Sequence, residues 1–123
     1  MLQSILMVGT GGFAGSVLRY LISRYLNLST QTVFPLGTFT VNLAGSFLIG
    51  IIITYALSED LNQQMRLLLA TGFCGGFTTF SSFSYEFFSL LQNGHNGYAF
   101  LYAAASFLFG LLFVWLGFTL PKI

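Results

Sequence analysis

The stretch GFCGGFTTFSSFSYE, Gly72 to Glu86, decides how this chain is read. It breaks an oily background twice, with too much glycine for a regular helix and too many hydroxyls for a surface facing lipid. The 123 residues around it are 55% hydrophobic and 6% charged, at a mean hydropathy of +0.82. Globular domains carry about 25% charged residues, so this composition belongs to an integral membrane protein. A bilayer core of about 30 Å takes roughly 20 apolar residues of helix. Four runs meet that length: Leu2 to Leu26, with Arg19 and Arg24 toward its end, Leu36 to Leu57, Gln63 to Leu91, and Tyr98 to Leu120. The expected fold is all-α, a single four-helix transmembrane domain over residues 1–123, its third helix broken near residues 75–79.

The first run lacks the basic leader and small-residue cleavage pattern of a secretory signal and continues past a normal apolar core, so it reads as a retained helix. Cys74 is the one cysteine and can form no intrachain disulfide. A net charge of +1 makes no case for nucleic acid. If four helices zigzag, Arg66 and Lys122 lie on one side and Arg19 and Arg24 on the other. Orientation follows the Lys/Arg bias of short loops, and here there is none. Such a chain can insert both ways, and two opposite copies can pair as an antiparallel homodimer, the two-chain form of an inverted repeat. An Arg19 buried in the bundle would leave a weak ordinary orientation instead.

GTGGFA, Gly9 to Ala14, has the spacing of a dinucleotide fingerprint. That fingerprint needs a soluble βαβ unit and an acidic residue about 20 positions on, and neither is present. Gly11 with Gly15, and Gly12 with Ser16, read instead as small-residue faces for close helix approach, as do Ser106 and Gly110 in the last run.

Polar residues inside a membrane are costly and tend to face a bundle interior or a water path. Most of them here lie in the third run. Each glycine costs about 1 kcal/mol relative to alanine in a helix, so Gly72, Gly75 and Gly76 beside Thr78 and Thr79 favour two half-helices. Unwound carbonyls at membrane depth commonly coordinate cations, and two antiparallel breaks could surround one monovalent ion. A simple kink satisfied by hydroxyls and water is the competing use. After the break, Phe80, Phe83 and Phe87 share one stripe at 100° per residue, bordered by Ser81 and Ser84, while Thr79, Ser82, Glu86 and Ser89 take the other side. The positive edges of aromatic rings and the hydroxyl donors suit an anion, whereas a plain phenylalanine stripe is packing. Asn42 offers its amide to a pathway or to a neighbouring helix. Arg19 either makes an electropositive entrance or snorkels to headgroups. Glu86 is a proton-coupling acid, an arginine partner or an acceptor for hydroxyls. His95 lies in a solvated loop. No nucleophile, base or carboxylate cluster supports an enzyme.

GFCGGFTTFSSFSYE, together with GTFTVNLAGS and GGFAGSVLRY, strongly resembles the Fluc (CrcB) family of fluoride channels, over essentially the whole chain. The resemblance implies an antiparallel, dual-topology homodimer with two pores in the inner (plasma) membrane, passively exporting fluoride. It also implies a pore lined by Phe80, Phe83, Asn42, Ser81, Ser84, Tyr102 and Arg19. A structural Na+ at the dimer interface is implied on the main-chain carbonyls of Gly75 and Thr78, with Thr79 and Glu86 in unassigned roles. A small proton-coupled multidrug exporter of dual topology is the nearest rival, but it is expected to carry an acid deep in its first helix. A non-transporting membrane scaffold explains the small-residue faces and leaves the broken segment without a purpose.

Overall fold

A computed structural model describes residues 1–123, and they are all helical or in short turns. Helix α1 is Leu2–Thr30 and α2 is Leu36–Leu57. Residues 63–77 form α3, which runs from an α turn (Gln63–Arg66) through a π-helical stretch (Leu67–Cys74) into a last α turn (Gly75–Phe77). Helix α4 is Phe80–Gln92, and α5 is Asn96–Thr119, closed by a 3-10 turn, Leu120–Lys122.

Local chemistry sets these ends. Gln31 adopts a left-handed conformation at φ 48° and its N–H caps Asn27 O, which stops α1 four residues beyond the expected Leu26. Pro35 fixes the start of α2. Asn62 accepts the Met65 N–H at 2.8 Å to open α3, and Thr79 accepts the Ser82 N–H at 3.1 Å to open α4, as N-cap side chains do.

Helices α1, α2 and α5 are long and apolar enough to cross a membrane. The third passage is shared between two short pieces. At 1.5 Å per residue α4 spans about 20 Å and α3 at most about 22 Å, so neither crosses alone. The upstream piece packs on α1, the downstream piece packs on α5, and α2 lies between them and touches both. The interruption therefore moves the chain from one side of the bundle to the other.

The expected break over residues 75–79 requires correction in one respect. Gly75–Phe77 is helical, and only Thr78 (φ −90°, ψ 161°) and Thr79 (φ −152°, ψ 123°) are extended. Gly72 and Gly76 serve packing instead, whereas a Cβ on Gly75 would meet nothing nearer than Ala70 O at 3.9 Å. A Cβ on Gly15 would run into the Phe73 carbonyl and lie 2.8 Å from Phe77 N, and one on Gly76 would lie 2.6 Å from Gly12 O. The last helix likewise approaches α2 at Gly117 and Gly50 rather than at Ser106 and Gly110. A Cβ on Gly110 meets nothing nearer than Ser46 Oγ at 3.8 Å, whereas one on Gly117 would collide with Phe47 O.

Candidate functional site

The extended pair Thr78–Thr79 is held from outside its own helix. Asn42, on α2, accepts the Thr79 N–H through Oδ1 at 2.8 Å and donates from Nδ2 to the Thr79 carbonyl at 3.2 Å. One side-chain amide thus pairs both polar groups of a single residue, as a neighbouring β-strand would. In an unbroken helix the Thr79 N–H would pair with Gly75 O. With that donor on Asn42, and with the Ser82 N–H on Thr79 Oγ1, the carbonyls of Gly75 and Thr78 are released from helical pairing. The Thr78 hydroxyl turns back to Cys74 O at 2.9 Å. Arg19 donates from Nε to Gly76 O at 2.9 Å, so the first-helix cation sits on the carbonyl end of α3 rather than among headgroups.

A cavity of about 590 Å³ opens beside this segment. Asn42, Gly75, Thr78, Thr79, Phe80 and Phe83 all line it, with Ser46 and Ser106 across from them. The Phe80 and Phe83 ring centroids are 5.9 Å apart. Phe80 is 79% exposed on the subunit, an unusual position for so apolar a ring unless lipid or another chain covers it.

Behind Phe83 stands Tyr102, whose ring lies 4.9 Å from it and is 0% exposed, caged further by Phe34 and Phe39. The Tyr102 hydroxyl donates to Glu86 Oε1 at 3.0 Å, and Thr38 donates to Glu86 Oε2 at 2.9 Å. Both Glu86 oxygens accept hydroxyls, and Arg19 is engaged on Gly76 O rather than on this acid. Each carboxylate oxygen holds one hydroxyl, which a part-buried acid in an apolar bundle requires.

Apart from Arg19, which stands on Gly76 O outside the cavity lining, the site residues named from sequence fall into three groups. Asn42, Gly75, Thr78, Thr79, Phe80 and Phe83 share one cavity. Tyr102 and Glu86 lie behind it as support. Ser81 and Ser84 are exposed on α4 outside the cavity, Ser81 touching it only through the Thr79 hydroxyl at 3.3 Å. Two residues were missed. Thr38, buried at the start of α2, offered no signal because its partner is 48 positions away. Ser106 was read as a packing residue, yet it lines the cavity and its buried hydroxyl has no partner within the subunit.

Residues 6–118 match the family described as CrcB-like protein, Camphor Resistance (CrcB). The chain is 50% identical over 122 residues to a protein of Prosthecochloris aestuarii named fluoride-specific ion channel FluC, covering 98% of this chain and 94% of that one. Proteins of the same name from Chlorobaculum tepidum (51% over 123 residues, covering 99% and 97%) and Thermus thermophilus (47% over 118 residues, covering 96% and 93%) are similar end to end. With a match of this extent, carried through the opened segment and the helices that hold it, the chain belongs to the CrcB family.

Proposed function

We propose that this chain is the subunit of a fluoride-selective channel that passively exports fluoride across the inner (plasma) membrane, working as an antiparallel, dual-topology homodimer with two pores. The observation that carries the reading is a pair of neighbouring phenylalanines and an amide converging on a cavity beside an interrupted helix, in a chain about half identical to proteins named fluoride channels.

Fluoride is small and strongly hydrated, so a pore must supply close donors in place of water and then release the ion to the next site. Asn42 has two amide N–H groups, and Thr79 O takes one of them, leaving the other for the cavity. Phe80 and Phe83 present ring edges, which attract an anion weakly enough to let it go. Ser81 and Ser84 extend a line of hydroxyls along α4, and Arg19 supplies positive charge near the mouth without standing at its narrowest point. Tyr102 has a single proton, committed to Glu86, so its part is to fix the Phe83 ring.

The carbonyls of Gly75 and Thr78 suit a hard monovalent cation, since they are oxygen donors freed from helical pairing and carry no charge that a proton could remove. A Na+ held there by both subunits would replace the hydrogen bonds that the interruption removes.

The test is efflux from liposomes loaded with fluoride or with chloride. Fluoride alone should leave quickly. Phe80→Ile or Phe83→Ile should slow it on the order of tenfold, the effect of raising a barrier by about 1.4 kcal/mol, and unaltered efflux in both variants would remove the aromatic role. Release of neither ion would instead revive proton-coupled drug export, for which Glu86, tied to two hydroxyls, is poorly placed.

A further inference from the structure

A second cavity, of about 430 Å³, lies where the last turns of α2 and α5 end side by side, far in sequence from the opened segment. It is lined by Thr54, Tyr55, Ser58, Asp60, Phe118 and Lys122 among others. Two transmembrane helices terminate here, so the cleft sits at the boundary between apolar layer and water.

Its contents are unusual for this chain, in which so few residues are charged. Lys122 rests its ammonium on the Phe118 ring at 3.7 Å from the centroid. Asp60 accepts the Ser58 hydroxyl through Oδ2 at 2.9 Å, which leaves its other oxygen open. The backbone acceptors around them are already taken. Thr54 Oγ1 donates to Phe118 O at 2.8 Å, and Tyr55 O receives the Asp60 N–H at 3.0 Å. Glu59 is held at φ 63°, a left-handed position where glycine would cost less. That turn folds the chain back and brings Asp60 over the cleft. What remains for a ligand is one cation, one anion oxygen and the Tyr55 phenol at the lip.

A purely anionic headgroup would meet Asp60 repulsively, and a trimethylated ammonium could give that carboxylate no hydrogen bond. We propose that the cleft seats the headgroup of a zwitterionic phospholipid with a primary ammonium, its phosphate on Lys122 and its ammonium on Asp60. The volume lies within the range of small-ligand sites.

The full-length protein in detergent, mixed with equal amounts of phosphatidylethanolamine, phosphatidylcholine and phosphatidylglycerol of matched acyl chains, tests this by native mass spectrometry. Phosphatidylethanolamine should be retained on the order of tenfold more than the other two. Asp60→Asn should erase its advantage over phosphatidylcholine, and Lys122→Gln should weaken retention of all three, with the helical circular-dichroism spectrum unchanged in both. Equal retention by the parent protein, a preference for phosphatidylglycerol, an unchanged preference in Asp60→Asn, or unchanged retention of all three lipids in Lys122→Gln would overturn the proposal. Displacement of the lipid by free phosphoethanolamine at equal concentration would overturn the assignment to a membrane lipid.

Discussion

Asn42 decides whether Thr78 and Thr79 stay extended, because it is the partner of both polar groups of Thr79. Removing the amide in Asn42→Ala leaves the part-buried Thr79 N–H unpaired, a loss of about 1–3 kcal/mol, while the Thr79 carbonyl keeps the first bond of the helix it caps. Fluoride efflux should fall, and hydrogen exchange at the Thr79 amide should speed up. Slowed efflux with unchanged exchange would show that Asn42 serves the ion and does not hold the backbone. At this scale the sequence was legible in the identity of the polar residues and silent on their pairing. Asn42 read as an intramembrane amide, but its use of one donor and one acceptor on a single distant residue follows from how α2 and the extended pair are set side by side. Glu86 showed the same limit: burial of the acid could be read, and the Thr38 and Tyr102 hydroxyls that satisfy it could not.

Among the elements, the contact of α1 with α3 is the most demanding sterically. Gly15→Ala places a methyl against the backbone of Phe73 and Phe77, which cannot move aside as a flexible side chain would. Overpacking of this kind costs about 1–3 kcal/mol. Gly9, on the same helix, has nothing within 4 Å of a Cβ. Gly9→Ala should leave the thermal midpoint in detergent level or raised, in keeping with the gain of about 1 kcal/mol for alanine over glycine in a helix, and Gly15→Ala should lower it. Equal effects would show that backbone proximity is not what fixes these glycines. The G-x-x-x-G spacing on α1 announced this face. Gly72 and Gly76 looked like helix breakers because their cost was reckoned for a helix alone; against α1 they are what permits contact. The π-helical register of Leu67–Cys74 has no counterpart in the hydropathy pattern, since it depends on which carbonyl each N–H reaches, as when the Gly75 N–H meets Ala70 O.

For the whole molecule, 14 of 123 residues are buried in the subunit, too few to hide its large aromatic and aliphatic side chains, so most of its apolar surface meets lipid or another copy. A dual-topology dimer predicts a definite labelling result. With Cys74 replaced by serine and a cysteine introduced at Asn93, a membrane-impermeant maleimide should reach close to half of the chains from outside intact cells. Labelling of all or none would mean one orientation. The interruption at Thr78–Thr79 bears on such an assembly in electrostatic terms. Aligned peptide dipoles leave roughly half an elementary negative charge where α3 stops and a similar positive charge where α4 begins. Two residues separate these poles. Arg19 answers the negative pole through Gly76 O, whereas the positive pole is made by peptide dipoles alone and cannot be titrated away as the acidity on either side of the membrane changes.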